Sequence, residues 1–459
     1  MKLAAILLLP LLSASAADVR LGRAAVVITP PVGMPMGGSY GLRLSTGVLD
    51  DLHAKALVIE VDGTRAALVA CDLVAISEPA IHEARRLIQQ ATALGPDQVM
   101  ISATHTHSGP LMGGRGARDK AFGGDLEVSK QYMSALPGKI AESVRLAVAG
   151  LAPARLSAAI GHEDTVSFNR RFLMKDGSYG WNPGKRNPNV VRPAGPIDPE
   201  VALVYFDSPD AKPRATYVNH ALHVAVTGGT RFSSDFPGVI ARRLAAAKSP
   251  EMLTVFTIGA AGNVNHIDVS DPARQGGPTE AARIGAILSA EILRAFDRLQ
   301  PVDPAPLSFR RDVVRLPLPE VRSGEVEKAH AVIARFGTPN HPPFLELVNA
   351  VKVADLAARD GRPVDGEVQV ITLGDQIAFV GLPGEMFVEL GLAIKQNSPF
   401  PYTIVAELAG PWIGYVPNRK AYAEGNYEPV SARCAAGCGE MLVDSALRQL
   451  VDLYHAKPR

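Results

Sequence analysis

The pattern of apolar and polar positions predicts strands and helices that alternate along the chain. Short apolar runs between Asp, Gly and Pro turn signals are typical of buried strands. The clearest such runs are "AKALVIEV" (54–61), "RAALVACDLV" (65–74) and "QVMISATH" (98–105). Apolar residues at helical spacing predict helices in "EPAIHEARRLIQQATAL" (78–94), "GVIARRLAAAKS" (238–249) and "EAARIGAILSAEILRAF" (280–296). The alternation favours the α/β class, with a mixed β-sheet core, surrounding helices and long loops in a single large domain.

Long irregular connections are predicted because the chain contains 36 prolines and 42 glycines. The longest fall at Gly113–Gly124 and Lys175–Pro199, and such loops often carry functional residues. No internal repeat or low-complexity linker divides the chain. We therefore expect one domain over residues 17–459, with an elaborated C-terminal third.

Residues 1–16 have the features of a secretory signal peptide. Lys2 precedes an apolar stretch from Leu3 to Leu12, and the small residues Ala14-Ser15-Ala16 predict cleavage after Ala16. The apolar stretch is shorter than the roughly 20 residues of a membrane-spanning helix. We therefore expect a secreted or periplasmic protein with no transmembrane segment.

The overall composition narrows the class of partner. Hydrophobic residues make up 47% and charged residues 20% of the chain, which is typical of a soluble globular protein. The formal net charge is +1, and no stretch gathers Lys and Arg into a basic stripe. This excludes nucleic acid as an expected partner. The oligomeric state stays unknown at this level.

Three cysteines are too few for a disulfide scaffold or a cysteine-rich zinc module. Cys71 lies in an apolar strand-like run, whereas Cys434 and Cys438 lie close together in "RCAAGCGE". In an oxidising compartment this spacing favours a local Cys434–Cys438 disulfide over two free thiols.

The sequence "GGSYG" (37–41) matches the G-x-S-x-G pattern of a serine hydrolase. That motif requires a buried strand before the serine and a helix after it. Here Pro30, Pro31 and Pro35 precede it and "LRLSTG" follows. The context therefore argues against Ser39 as a nucleophile.

A pair of histidines at the end of one apolar run gives the first candidate metal ligands. His105 and His107 end the run "VMISATHTH", and residues two apart in a strand project to the same side. Two adjacent imidazoles are poor core material because each has two ring nitrogens to satisfy. Spacing alone leaves open whether both bind one metal or one is a catalytic partner.

Two further polar clusters follow apolar runs. They are His220 and His223 with Asp235, and Asn263, Asn265, His266 and Asp268 in "GNVNHID". Neither has a fixed metal-binding spacing such as H-E-x-x-H. Together they indicate polar groups that converge at the ends of several strands, as in metal hydrolase sites.

The order of several motifs resembles the catalytic domain of the neutral/alkaline (non-lysosomal) ceramidases. These motifs are "RLGRAAVVITPPVGMPMGGSYG" (20–41), "ISATHTHSGP" (101–110), "SFNRR" (167–171), "VNHALHV" (218–224) before "SSDFPG" (233–238), "GLPGEMF" (381–387) and "GYVPNRKAYAEGNYE" (414–428). Members of that family are zinc-dependent amidases of ceramide. The resemblance implies that the zinc ligands are His105, His220, Glu385 and Tyr415. It also implies that His107, Arg170 and Tyr427 line the reacting centre.

One departure from the family bears on the mechanism. Where the ceramidases have Gly-Asp-Val-Ser-Pro, this chain has Gly-Asn-Val-Asn-His at Gly262–His266. No serine is available at that position, so metal-activated water is the expected nucleophile.

The resemblance implies a zinc-dependent amidohydrolase that cleaves an N-acyl amide, and residues 1–16 predict that it is secreted. The expected substrate is a small-molecule or lipid N-acyl amine, with ceramide as one example. A zinc esterase or lactonase on the same site, and a non-catalytic binding protein with the same fold, are the alternatives.

Overall fold

The structure is a computed structural model that describes residues 17–112 and 121–456. The expected signal segment and residues 113–120 of the first long loop lie outside the described residues. The α-helices whose two ends both lie in these described residues are α1 (Glu78–Thr92), α2 (Glu127–Ala149), α3 (Asp235–Lys248), α4 (Pro278–Ala295), α5 (Glu325–Ile333), α6 (Phe344–Ala357), α7 (Val388–Asn397), α8 (Arg419–Glu424), α9 (Tyr427–Ser431) and α10 (Cys438–His455).

Three larger sheets form the core of the described residues, with strands numbered along the chain. The first sheet is β5 (Val99–Ala103), β4 (Thr64–Cys71), β3 (His53–Val61), β1 (Val19–Val27) and β6 (Ala152–Pro153). The second is β15 (Leu253–Ile258), β13 (Pro213–His220), β12 (Glu200–Asp207), β7 (Arg155–His162) and β17 (Gln300–Pro301). The third is β18 (Leu307–Leu316), β19 (Val364–Leu373), β20 (Ile377–Gly381) and β22 (Tyr402–Ala406).

Short strands build the remaining small sheets. They are β10 (Tyr179–Trp181), β9 (Arg171–Met174) and β11 (Val190–Pro193); β14 (Arg231–Phe232) with β2 (Gly47–Val48); β16 (Val264–Asn265) with β8 (Phe168–Asn169); and β21 (Glu385–Met386) with β23 (Tyr415–Val416). The second predicted loop, Lys175–Pro199, thus contains two short strands rather than being wholly irregular.

Each large sheet contains one pair of parallel strands joined through a helix. The pairs are β4–α1–β5, β13–α3–β15 and β20–α7–β22. Ligands in open α/β structures bind beyond the carboxyl ends of such strands. Loops that follow β5, β13, β15, β20 and β22 supply the candidate site described below.

The predicted elements are confirmed where the apolar pattern was clearest. The three strand predictions correspond to β3, β4 and β5, and the three helix predictions to α1, α3 and α4. Helix α3 begins at Asp235, three residues earlier than Gly238, because Pro237 is compatible with the first turn of a helix. The mixed α/β class with a single large domain is likewise confirmed.

The structure does not contain the predicted Cys434–Cys438 disulfide. Cys71, Cys434 and Cys438 are all free and buried. The Cys434 and Cys438 thiols hydrogen-bond to each other, and each also has an oxygen partner of its own. The Cys438 thiol donates toward the Pro317 carbonyl at 3.7 Å, and Cys434 Sγ lies 3.9 Å from the Tyr422 hydroxyl.

Among the described helices, none combines the length and the apolar character that crossing a bilayer requires.

Candidate metal centre

His105 occupies the loop that follows β5. The strand ends at Ala103, and the His105 backbone has φ +68°, in the left-handed region. Its amide donates to the Leu73 carbonyl (2.9 Å), and its ring Nδ1–H donates to the Val74 carbonyl (2.6 Å). Because Nδ1 carries the proton, a neutral His105 ring presents the lone pair of Nε2 to the site.

His223 reaches the same point from the turn after β13. Its Nδ1 donates to the Ala261 carbonyl (3.2 Å), so its Nε2 also presents a lone pair. The Nε2 atoms of His105 and His223 are 2.9 Å apart, and both side chains are buried. Two lone pairs at this separation repel each other unless a proton or a metal cation lies between them.

Glu385 adds a carboxylate to the two imidazoles. Its Oε2 lies 3.4 Å from His105 Nε2 and 3.9 Å from His223 Nε2. The parallel pairing of β21 with β23 sets Glu385 directly beside Tyr415, and Trp412 Nε1 donates to Glu385 Oε1 at 3.3 Å. Glu385 and Tyr415, distant in sequence, are therefore brought together as expected.

These donor atoms fit a small tetrahedral cation. With metal–ligand bonds of 2.0–2.1 Å, neighbouring ligand atoms of a tetrahedral zinc shell lie about 3.3 Å apart. The separations from His105 Nε2 are 2.9 Å to His223, 3.3 Å to His107 and 3.4 Å to Glu385. His105, His107 and His223 thus form a group that can hold a metal ion.

His107 lies at the open side of this cluster. It is half-buried, and its backbone is held by bonds to the Val224 carbonyl (2.9 Å) and from the Arg43 guanidinium (2.9 Å). Gly38 packs against its ring: a Cβ on Gly38 would lie 2.5 Å from His107 Cγ. The "GGSYG" stretch is therefore a loop that packs against His107 and not a strand-to-helix turn. This agrees with the expectation that Ser39 is not a nucleophile.

Arg170 is fixed beside the cluster by three bonds. Its Nε donates to Glu428 Oε1 (2.8 Å), and its Nη2 donates to the Gly262 carbonyl (2.6 Å) and to the Tyr415 hydroxyl (3.1 Å). Glu428 is fully buried and also accepts from Arg171 Nη1 at 3.0 Å. Arg170 thus carries a fixed positive charge at the edge of the cluster.

Tyr427 connects the cluster to an aromatic wall. Its ring centroid lies 5.4 Å from that of Tyr415 and 4.6 Å from that of Trp181. Tyr40 and Phe344 also contact it, at 6.5 Å and 5.3 Å. Tyr427 therefore lies between the polar centre and an apolar surface.

Burial and the neighbouring charges set the ionisation of the centre. Burial lowers the pKa of His107 and of His223 well below 6.5, and His105 lowers both pKa values further. Burial raises the pKa of Glu385, but His105, Tyr415 and Arg170 outweigh it and bring the pKa to about 2. Burial, with Glu385, raises the pKa of Tyr415 well above 10. Neutral imidazoles and an ionised carboxylate are the forms that bind a metal.

His220, the ligand implied by the family resemblance, does not join this cluster. Its Nδ1 donates to the Glu200 carbonyl (2.9 Å), and its Nε2 accepts from the Ser167 hydroxyl (3.0 Å). Both ring nitrogens are thereby satisfied, one by strand β12 of the second sheet and the other by the loop before β8. The structure supplies His223 instead, and the sequence signal for it is its position beyond the end of β13, as His105 lies beyond the end of β5.

The third polar cluster is only partly at the site. Gly262 and Asn263 contact Arg170 through their carbonyls, at 2.6 Å and 2.9 Å. Asn265 donates to Asn182 Oδ1 (3.1 Å), and His266 contacts the Gln275 carbonyl (3.2 Å). The structure thus joins the start of "GNVNHID" to Arg170, while His266 is bonded elsewhere.

Glu407, after β22, was not anticipated from the sequence. It is fully buried, and burial, with the nearby Glu385, raises its pKa well above 4.5. Its Oε2 accepts from the Met386 amide (2.7 Å) and the Ala261 amide (3.2 Å). A buried carboxyl group with a raised pKa therefore lies directly behind the cluster.

Comparison with known proteins finds that the chain is similar to neutral ceramidase over part of that protein's length. It is 31% identical to neutral ceramidase of Pseudomonas aeruginosa over 180 residues, which are 38% of this chain and 25% of that relative. The crystal structure of neutral ceramidase from Pseudomonas aeruginosa superposes with a TM-score of 0.76 at 20% identity, covering 97% of this chain and 76% of that chain. A ceramidase complexed with C2 gives 0.73 at 19% identity, covering 96% and 76%. No family model matches the chain.

Proposed function

We propose that this relative of the neutral ceramidases, which shares their fold, is a zinc-dependent hydrolase of N-acyl amides. The observation that carries the proposal is the convergence of His105 Nε2, His223 Nε2 and Glu385 Oε2 at the carboxyl ends of parallel strands. Each imidazole is oriented by a backbone carbonyl, which is the arrangement typical of metal-binding histidines.

His105, His223 and Glu385 form the proposed protein ligands, with the Tyr415 hydroxyl at the edge of the shell. Imidazole and carboxylate donors without cysteine suit zinc, and three such ligands are typical of its catalytic sites. Zinc bound here supplies an activated water and polarises the substrate carbonyl. We replace His220 by His223 in this set because both ring nitrogens of His220 are hydrogen-bonded elsewhere.

The remaining residues act on the substrate and its protons. Half-buried His107 lies beside the ligands and is the proposed group that carries a proton to the leaving amine. Arg170 places its charge beside Tyr415, where negative charge develops on the carbonyl oxygen. Tyr427 borders the apolar part of the substrate, since it separates the polar centre from the aromatic wall.

The nucleophile proposed here is water. Asn265 occupies the position of the family's serine, and its side chain donates to Asn182. An amide group is not a nucleophile for acyl transfer, so no covalent acyl-enzyme is expected at this position.

The substrate class is an N-acyl amine with an apolar segment. The aromatic wall of Tyr40, Trp181, Phe344 and Tyr427 supports an apolar acyl or amine portion. The similarity to a ceramidase complexed with C2 is consistent with a lipid-like amide.

The test combines metal analysis with turnover on matched substrates. Purified protein should contain about one zinc per chain, lose N-acyl amide hydrolysis on chelation and regain it with zinc. A panel of amides and the corresponding esters measures the preference. Protein that binds no metal and hydrolyses neither series would overturn the proposal, and faster hydrolysis of esters alone would establish the esterase alternative.

We also propose that residues 1–16 direct export of the protein. N-terminal sequencing of protein from a periplasmic or extracellular fraction should begin at Ala17. Soluble cytoplasmic protein that retains Met1–Ala16 would contradict this proposal.

A further inference from the structure

The chain segment Glu407–Trp412 crosses the ends of the strands that supply the metal centre. Directly after β22 it leaves the third sheet and runs toward β5, where Ala409 pairs with Ser102. Its backbone is bonded to residues that precede each site loop: Ile258 (3.1 Å), Gly384 (3.3 Å), Ala103 (3.1 Å) and Ile101 (2.8 Å). One short segment therefore links three loops. These loops bear His105, Glu385 and Ala261, whose carbonyl accepts from the His223 ring.

The Glu407 side chain connects two of these loops more closely than the backbone does. Its Oε2 accepts from the Ala261 amide (3.2 Å), and the Ala261 carbonyl accepts from His223 Nδ1 (3.2 Å). The same Oε2 accepts from the Met386 amide (2.7 Å), and Met386 directly follows Glu385. Glu407 Oε2 thus connects Ala261, whose carbonyl orients the His223 ring, to Met386, which is next to Glu385 in the chain.

The space around this junction allows little adjustment. The Gly262 amide donates to the Met386 carbonyl at 2.7 Å, and a Cβ on Gly262 would lie 2.4 Å from the Glu385 carbonyl oxygen. Glu407 itself has no exposed surface, so in the native protein its carboxyl, and not bulk water, is the acceptor for these amides. Loss of the carboxyl leaves two buried amides without an acceptor.

We propose that Glu407 is a positioning residue that sets the separation of His223 and Glu385 and thereby the affinity of the metal centre. The proposal rests on the proposed function for the identity of the metal. Glu407 does not contact substrate or metal; it acts through Ala261 and Met386. Outer partners of metal ligands typically change metal affinity by 10–100-fold when removed.

Three substitutions of Glu407 separate its hydrogen-bonding role from its charge and size. Glu407→Ala removes the acceptor, and Glu407→Asp withdraws it by one methylene; both should weaken zinc binding by about 10–100-fold. Glu407→Gln keeps an oxygen that accepts from both amides and should bind zinc within about threefold of wild type, given the 10–100-fold reference effect. The absorption spectrum of cobalt-substituted protein should change in the Ala and Asp variants and stay unchanged in Gln.

Glu291 provides the matched control. It is a buried carboxylate on α4 that also accepts a backbone amide, that of His162 (3.0 Å), in a different part of the fold. Glu291→Ala should lower the melting temperature while zinc affinity and the cobalt spectrum stay at wild-type values. Equal loss of zinc affinity in Glu291→Ala and Glu407→Ala would show that the effect is general destabilisation, which overturns the proposal.

Two further outcomes would also overturn it. Wild-type zinc affinity in Glu407→Ala, or in Glu407→Asp if the Ala variant does not fold, would show that the junction does not position the ligands. A Glu407→Gln variant as weak as Glu407→Ala would show that charge matters and not the shared acceptor. If wild-type protein binds no metal, the proposed function itself fails, and that result is separate from any difference among the variants.

Discussion

His220 and His223 are separated by two residues, and both are buried, yet their surroundings differ in one decisive respect. The ring of His220 is enclosed by one acceptor, the Glu200 carbonyl, and one donor, the Ser167 hydroxyl. The ring of His223 has an acceptor on Nδ1 but faces another imidazole and a carboxylate with Nε2. The first environment satisfies a neutral histidine completely, and the second satisfies it only when a cation is shared.

The difference arises from where β13 ends. His220 is the last residue of the strand, and its ring contacts the neighbouring strand β12 and the Ser167 hydroxyl. His223 follows in the turn, where the chain has passed the sheet edge. A histidine's role is therefore decided by the partner of its second nitrogen, and neither burial nor residue type separates the two cases.

The largest expected contrast is between His223→Ala and His220→Asn. His223→Ala removes a proposed ligand, so bound zinc and amide hydrolysis should both fall to background. His220→Asn should retain about one zinc per chain and lose stability by about 1–3 kcal/mol, because a buried hydrogen-bond pair is altered. Metal analysis and denaturant unfolding of both variants measure the contrast, and zinc loss in His220→Asn alone would reverse the assignment.

His107 extends this comparison of histidines because it contacts the metal cluster but is only half-buried, whereas His105 and His223 are buried. His107→Ala should keep its zinc while the rate falls by about 10²–10⁴-fold, the range for losing general acid–base help. Zinc content and single-turnover rates measure both effects. If His107→Ala loses zinc as completely as His105→Ala, the two are joint ligands and the proton transfer belongs to another group.

Gly38 tests the orientation of His107 without removing its ring. Gly38→Ala places a methyl 2.5 Å from His107 Cγ, and the displaced ring should lower activity by about 10–10²-fold with zinc retained. Gly33→Ala is the control, because Gly33 also has a positive φ (+95°) but has no atom within 4 Å of its Cβ position. Equal activity losses in the two variants would show that backbone strain, and not contact with His107, is responsible.

The smallest expected effect concerns the acid sensitivity of His220. Burial lowers the pKa of His220 in the folded protein, so below about pH 6.5 the unfolded chain binds a proton that the folded chain does not. Stability should therefore fall as the pH falls, by at most about 1.4 kcal/mol per pH unit from this residue. Urea unfolding of metal-free protein at pH 7.5 and 5.5 should show a shallower dependence in His220→Asn, and an unchanged slope would contradict the prediction.

The sequence predicted the elements that apolar periodicity defines. Strands β3, β4 and β5 and helices α1, α3 and α4 follow that pattern because each buries one continuous apolar face. The convergence of His105 and His107 was also expected, but for a different reason from the one observed. Strand alternation does not extend to them, since β5 ends at Ala103 and the positive φ of His105 turns its ring into the site.

The rest of the site depends on contacts that no local pattern encodes. The pairing of Glu385 with Tyr415 involves two strands of two residues each, too short for any periodicity. The exchange of His220 for His223 depends on the last residue of one strand, and strand ends are the least predictable part of a sequence pattern. Glu407 follows an ordinary buried strand, and only its two amide partners distinguish it.

The proposed ligands His105, His223 and Glu385 each follow a strand of a different large sheet, and this arrangement would couple the proposed metal binding to folding of the whole chain. A partly folded chain that lacks any one sheet lacks a complete centre, so a growing polypeptide gains full affinity only after Glu385 has been synthesised and packed. By thermodynamic linkage, metal at 100 times its dissociation constant adds about 2.7 kcal/mol to the stability of the native state. Metal supply would then govern how long the protein survives proteolysis as well as its rate of turnover.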